Sequence, residues 1–338
     1  MSDYRVLGRT GVRLSPLTLG AMNFGRIGNA DHADGIRIIH RALDEGITVI
    51  DTADVYSQGE SEEVVGKALV DGRRDEVFLA TKFHGQMGDN PHHRGNSRRW
   101  IMREVENSLR RLRTDHIDLY QVHRPDPSVD FDDTLSALSD LVHQGKIHYV
   151  GTSTFSAAQI VEGQWTAERR GRERVVAEQP PYSILARGIE RDVLPVAQRY
   201  GLGILPWSPL AGGWLSGSYL NGGSRRVERF PARYDAALPA NAPKIEAVTK
   251  LAALADEAGL SLIHLAIGFV LAHPAVTSAI IGPRTLEHLE SQLGAATVVL
   301  SADVLDRIDE IVPPGVNLNP ADAGYEPPSI TDSRLRRR

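Results

Sequence analysis

The stretch Ile117-Asp118-Leu119-Tyr120-Gln121-Val122-His123 is a short, largely apolar run that closes on a histidine. At this length, with its β-branched and aromatic content, it reads as a buried strand. Comparable runs occupy residues 17–19, 48–50, 77–80, 117–122, 147–151, 175–177, 203–206 and 278–281. Stretches of helical period lie between them, among them residues 34–43, 61–69, 97–112, 134–142 and 191–199. In the third of these, Ile101, Val105, Leu109 and Leu112 fall on one face of a helix. Ser61 before Glu62 and Glu63 suits a helix start, where a hydroxyl and acids meet unpaired N–H groups. Strands alternating with helices imply parallel pairing. Eight such units without a linker predict a closed (β/α)8 TIM barrel rather than an open sheet, one domain over residues 1–338. Residues 4–15, with Gly8 and Gly11 at turn positions, are expected to form an N-terminal β-hairpin that plugs the barrel floor. Two long stretches break the pattern, residues 84–96 after the third strand and 212–243 after the seventh. Loops of that length are usually functional, and in a barrel both rise from the C-terminal face, where active sites sit.

Composition narrows the chemistry. The chain has no cysteine, which removes disulfides, thiolate nucleophiles, iron–sulfur clusters and cysteine-ligated zinc. The net charge of −5 lacks the basic footprint of a general nucleic-acid binder. The first residues lead into no signal-like apolar core, and no run of about 18 apolar residues occurs, so a cytoplasmic protein without membrane partners is expected. The basic stretches 169–174 and 334–338 read as solvated surface.

Polar residues at consecutive strand ends carry the functional reading. Asp51 closes the second strand and Tyr56 follows it in the loop; Lys82 closes the third and His123 the fourth. Neighbouring strands lie about 4.8 Å apart, so these side chains can converge. A phenol is a reluctant proton donor at neutral pH, and a nearby ammonium makes it a better one. Asp51 would hold Lys82 charged and in place, while a neutral His123 would orient a substrate oxygen. An alkoxide forming at a reduced carbonyl would then meet two donors, the Tyr56 hydroxyl and the imidazole. No side chain supplies hydride, so a cofactor is required. Gly-x-Gly-x-x-Gly after a strand and a Walker-type Gly-Lys-Ser/Thr are both absent, so a nicotinamide would have to lie across the barrel mouth.

These residues sit in motifs that resemble the aldo-keto reductases along nearly the whole chain. The motifs are Leu7-Gly8-Arg9-Thr10-Gly11, Leu19-Gly20-Ala21-Met22-Asn23-Phe24-Gly25, Asp51-Thr52-Ala53-Asp54-Val55-Tyr56 and Ala80-Thr81-Lys82. They continue with Asp118-Leu119-Tyr120-Gln121-Val122-His123-Arg124-Pro125, Gln144-Gly145-Lys146-Ile147 leading to Gly151-Thr152-Ser153, and Trp207-Ser208-Pro209-Leu210-Ala211-Gly212-Gly213. The resemblance implies a catalytic tetrad of Asp51, Tyr56, Lys82 and His123. It implies that Ser153 and Gln179 bind the nicotinamide carboxamide, that Trp207 stacks on the ring, and that Gly20, Ala21, Met22 and Asp51 border its ribose. Ser208, Leu210 and Gly212 would track the pyrophosphate, Arg284 the adenosine 2′-phosphate, and His288 and Gln292 the adenine. Arg284 favours NADPH over NADH, because a guanidinium pairs well with a phosphate. Thr154 replaces a usual Asn, Ser57 a frequent Gly, and His288 and Gln292 stand where Gln or Arg and Asn are more common.

The expected activity is reversible reduction of a small-molecule aldehyde or ketone. The alternative is an NADPH-binding regulatory subunit with little turnover, resembling the potassium-channel β subunits. A metal-dependent barrel hydrolase or isomerase lacks a carboxylate–histidine ligand set, and the loop holding His84, His92 and His93 offers glycines and Pro91 instead of a fixed scaffold. Ser153 lacks the closing glycine of a nucleophile elbow. Trp214 and Phe230, in the second long loop, suit either a pocket wall or a loop anchor.

Overall fold

The computed structural model describes residues 4–218 and 234–337. A hairpin of β1 (Arg5–Val6) and β2 (Arg13–Leu14) precedes eight parallel strands. These are β3 (Leu17–Gly20), β4 (Val49–Asp51), β5 (Phe78–Phe83), β6 (Ile117–Val122), β7 (Ile147–Ser153), β8 (Val175–Gln179), β9 (Gly203–Ile204) and β10 (Ala279–Ile281). They run in the spatial order β10-β3-β4-β5-β6-β7-β8-β9. The sheet closes on itself where Ile204 bridges to Val276 and Trp207 to Ile280, with the Ile280 N–H donating to Pro206 O at 2.9 Å. The architecture is the expected (β/α)8 barrel with its N-terminal hairpin.

Period-two alternation inside the barrel positions the site. Val49, Ala80, Leu119, Ala177, Leu205 and Ile280 form one apolar layer, closed from below by Leu7 and Leu14 of the hairpin. A side chain two residues further along each strand points the same way, one layer nearer the C-terminal mouth. That layer holds Asp51, Lys82, Gln121 and Gln179, all buried. The hairpin sits tightly against the floor: a Cβ on Gly8, whose φ is +53°, would lie 2.4 Å from Gly201 O.

The outer ring contains α1 (His32–Asp44), α2 (Glu60–Ala68), α3 (Arg98–Leu112), α4 (Phe131–His143), α5 (Ala157–Arg170), α6 (Val193–Tyr200), α7 (Ala242–Glu257), α8 (Leu262–Ala272), α9 (Leu286–Leu293) and α10 (Ala302–Ile311). On α3, Ile101, Val105, Leu109 and Leu112 are all buried against the barrel, each burial contributing roughly 1.5–3 kcal/mol. Ser97 caps α3 by accepting from the Trp100 N–H. One helix start differs from the sequence expectation. Gly59, not a hydroxyl residue, caps α2, and Ser61 lies inside the helix facing inward. Its Oγ donates to Ala21 O at 2.7 Å and pairs with Thr52 Oγ1, so it ties the helix to the barrel rim instead of its own N-terminus. Glu62 is also buried, sharing Arg111 with Glu104 at 2.6 Å each.

The long stretch expected over residues 212–243 ends sooner, because α7 begins at Ala242. Phe230 and the tail residue Arg338 lie outside the described residues. Trp214 is fully buried, packed on Tyr234 with ring centroids 5.2 Å apart and under the Lys244 ammonium, so it pins the loop. No single helix among the described residues is long and apolar enough to cross a membrane.

Candidate active site

Asp51, Tyr56, Lys82 and His123 meet at the C-terminal mouth. Lys82 Nζ donates to Asp51 Oδ1 at 2.5 Å, to Thr52 O at 2.7 Å and to Tyr56 Oη at 3.4 Å. The second Asp51 oxygen accepts from the amides of Gln179 at 2.8 Å and Gln121 at 3.1 Å. The Tyr56 and His123 rings stand edge to face, 5.6 Å apart. The loop carrying Tyr56 is held on both sides. Asp54 N–H donates to Lys82 O, and the Ser57 hydroxyl bonds Phe24 O and the Ile27 N–H.

Burial and charge set the protonation states. Burial raises the Tyr56 phenol above its ordinary range, and the Lys82 ammonium works against that rise. Tyr56 therefore carries its proton at neutral pH. Burial is the largest single influence on Lys82 and would lower it, but Asp51 and the Tyr56 oxygen together outweigh burial, raise the ammonium above its ordinary value and hold it charged. His123 is pushed well below the usual imidazole range by burial first, then by the Lys82 and Arg124 charges, so it is neutral. A half-buried phenol, a buried ammonium and a neutral imidazole thus face a common space.

The residues matched to cofactor contacts surround that space unevenly. Gly20 ends β3, packed so closely that a Cβ would lie 2.8 Å from an Ile280 methyl. Ala21 is buried, with its N–H on Asp51 O, while Met22 is exposed on the rim. Ser153 Oγ donates to Gln179 O at 2.8 Å. The Gln179 amide nitrogen is committed to Asp51, and its Oε1 accepts from none of the described residues. Trp207 is half-buried at the mouth. Ser208 Oγ accepts from the Gly212 N–H at 2.7 Å, closing a tight turn over Leu210. Arg284 precedes the N-terminus of α9, half-buried, with no carboxylate partner among the described residues. His288 is exposed, whereas the Gln292 amide turns back onto His288 O at 2.6 Å. A partly exposed aromatic face, a free amide oxygen and an unpaired guanidinium suit a nicotinamide, a carboxamide and a phosphate respectively.

Two of the departures noted in sequence share a physical setting. Thr154 and Ser57 both have left-handed backbones, with φ of +62° and +53°. Asn and Gly enter that region readily, and a β-branched residue does so under strain. Ser57 recovers part of the loss through its two backbone contacts; the Thr154 hydroxyl reaches only Ser153 Oγ, at 3.3 Å.

Among the described residues, the histidines of the 84–96 loop form no cluster of potential metal ligands. His84 Nδ1 pairs with Asn96 Oδ1, and His93 stacks on Trp100. A different trio, His116, Asp118 and His148, places potential ligand atoms within 4.8 Å of one another beside the N-terminal ends of β6 and β7, away from the mouth. There Asp118 is already engaged by Arg74 and the Leu79 N–H, and His116 by Asp115.

Three residues at the site escaped the sequence reading. Gln121 holds Asp51, and its signal was available: it lies between Leu119 and His123 in the inward-facing alternation. Gly151 on the next strand leaves room for it, since a Cβ there would stand 2.8 Å from Gln121 Cγ. Glu178 lies beneath the Ser153 turn, accepting from Thr152 Oγ1 and the Phe155 N–H, and burial pushes its carboxyl up to about 7. Arg124 sits beside His123 with its guanidinium 6.0 Å from the Trp207 ring.

Residues 16–313 match the sequence profile of the Aldo/keto reductase family. The chain is 40% identical over 323 residues to an uncharacterized oxidoreductase of Bacillus subtilis, covering 92% of this chain and 96% of that one. It is 37% identical over 302 residues to the aldo-keto reductase YhdN of the same organism, covering 86% and 87%. It is also 34% identical over 321 residues to a probable voltage-gated potassium channel subunit beta of Arabidopsis thaliana, covering 92% and 96%.

Proposed function

The chain belongs to the aldo/keto reductase family, and from that premise we propose that it is an NADPH-dependent oxidoreductase that reduces aldehydes or ketones to alcohols. The observation that carries the reading is the Lys82 ammonium, within 2.5 Å of Asp51 and 3.4 Å of the Tyr56 hydroxyl. When bound, the reduced nicotinamide supplies the hydride to the carbonyl carbon and leaves oxidised. The residues of this chain do the rest. Neutral His123 donates a hydrogen bond to the carbonyl oxygen and orients it against Tyr56. Tyr56 gives its proton to that oxygen as negative charge develops there. Lys82 stabilises the phenolate left behind, and Asp51, gripped by two amides, keeps the ammonium in place. Solvent at the mouth returns the proton.

Trp207 offers a face for the nicotinamide ring, and Ser153 with the free Gln179 oxygen suits its carboxamide. Arg284 at the start of α9 suits a phosphate, which favours NADPH.

The test is NADPH oxidation with a panel of small aldehydes. Turnover linked to alcohol formation supports the reading. Tight NADPH binding without turnover on any carbonyl would favour a regulatory subunit instead, a second reading kept in view by the similarity to potassium-channel β subunits. The buried ion pair and neutral imidazole favour the enzyme, since cofactor binding alone has no use for a poised proton donor.

A further inference from the structure

Among the described residues, Arg124 is a charged side chain at the mouth that the reduction mechanism leaves without a task. It follows His123 directly, is half-buried, and among the described residues makes only two polar side-chain contacts: Nη1 donates to its neighbour's carbonyl, His123 O, at 2.5 Å and to Ser153 Oγ at 3.4 Å. No carboxylate among the described residues pairs with it. Three other half-buried guanidiniums behave differently: Arg74 has Asp118, Arg111 has Glu62 and Glu104, and Arg172 has Asp132, whereas Arg284, the guanidinium suited to a phosphate, is likewise without a carboxylate among the described residues. A guanidinium removed from much of its water and left unpaired is held at a free-energy cost unless an anion arrives.

Its surroundings reinforce the point. Arg124 is close enough to Tyr56 and His123 for its charge to lower both. Beside it, a cavity of about 530 Å³ opens between the 84–99 loop, the 125–129 segment and the C-terminal Tyr325. Arg94, Arg99, His84 and His92 line this cavity, and its one lining carboxylate, Asp126, is occupied by Ser128 and the Asn96 N–H. The cavity wall includes Pro125, the residue after Arg124, and does not include Arg124, Tyr56 or His123. A substrate whose carbonyl lies against Tyr56 and His123 would lie within reach of the Arg124 charge.

We propose that the preferred substrates are carbonyl compounds bearing a carboxylate, which Arg124 grips while the carbonyl oxygen lies on Tyr56 and His123. This rests on the reductase reading above. Arg124 is then a specificity-determining residue: a planar fork matches a carboxylate with two parallel hydrogen bonds, which a point charge does not reproduce.

The experiment compares 4-carboxybenzaldehyde with methyl 4-formylbenzoate, two aldehydes that differ chiefly in one negative charge, at saturating NADPH. The acid is expected to exceed the ester in kcat/KM by roughly ten- to a hundredfold, mainly through KM, as for a charged hydrogen bond made in ground and transition states alike. Arg124→Gln should bring the ratio to about one, and Arg124→Lys should leave it in between. NADPH affinity, read from nicotinamide fluorescence, should hold within about twofold in both variants. Equal kcat/KM for acid and ester in the unmodified enzyme would overturn the proposal alone. So would an Arg124→Gln variant that loses activity on both compounds alike, or whose main loss is NADPH affinity. Turnover of neither aldehyde, nor of any other in the panel, would overturn the reductase reading and the proposal with it.

Discussion

Replacing Lys82 by Met removes the ammonium and nearly preserves the volume of a fully buried side chain. Three contacts vanish together: Asp51 Oδ1 at 2.5 Å, Thr52 O at 2.7 Å and Tyr56 Oη at 3.4 Å. Asp51 keeps the amides of Gln121 and Gln179 on Oδ2, and its Oδ1 is left buried without a donor. Removing one partner of a buried ion pair costs about 3–5 kcal/mol. Unfolding entropy near 2.1 cal/mol/K per residue amounts to about 0.7 kcal/mol/K for a chain of 338 residues, so the Tm should fall by about 4–7 °C. Asp51→Asn added to Lys82→Met removes the stranded charge and should recover about half of that loss or more. Activity should behave differently. Both variants leave Tyr56 without a cation, and turnover should drop by about 10²–10⁴-fold in each. Thermal melts and NADPH oxidation on the same preparations decide the matter. A Lys82→Met protein that melts normally, or a double variant no more stable than the single, would refute the buried-pair reasoning. A Lys82→Met protein with more than about a tenth of normal turnover would refute the assistance to Tyr56.

Arg284→Ala should weaken NADPH about ten- to a hundredfold and NADH far less, measured by fluorescence titration; equal losses would remove the case for a phosphate contact. Glu178, whose carboxyl burial raises to about 7, keeps its proton in the folded chain over a range where the unfolded chain has lost it. Its contribution to stability therefore falls as pH rises from the ordinary carboxylate range to about 7, then levels off. Glu178→Gln should remove that slope, so the stability difference between the two proteins, followed by denaturant melts from pH 4.5 to 8, should shift in favour of the variant with rising pH; a flat difference would refute it. Thr154→Asn relaxes a left-handed β-branched residue whose strain is about 1–3 kcal/mol and should raise the Tm by about 1–4 °C; a lower Tm would refute the strain reading.

Much of the barrel was legible because its strands are buried on both faces and therefore spell short apolar runs. Residues 117–122 coincide with β6, and the remaining strands shift by one to three residues at their ends, where hydrogen bonding and not hydropathy sets the boundary. Ser61 was misread because a hydroxyl next to two acids looks alike whether it caps a helix or bonds a neighbouring strand loop; only the position of Ala21 and Thr52 separates the two. Asp51, Lys82 and His123 announced themselves as polar ends of apolar strands. Gln121 did not, since one amide inside a strand is unremarkable until the Asp51 oxygen it serves is found across the barrel. The direction of the Tyr56 shift was also beyond sequence: a nearby lysine argues downward, and the extent of burial that argues upward is a property of the closed mouth.

The central claim is that Tyr56 donates the proton in a hydride transfer from NADPH to a carbonyl. A single-turnover measurement tests it most directly, with enzyme and NADPH in excess over methyl 4-formylbenzoate and the loss of nicotinamide absorbance followed for the unmodified protein and for Tyr56→Phe. Phenylalanine keeps the ring against His123 and removes the hydroxyl that faces Lys82. The account predicts that the rate falls by about 10²–10⁴-fold while NADPH affinity is unchanged. An unchanged rate, with cofactor bound equally well, would contradict it.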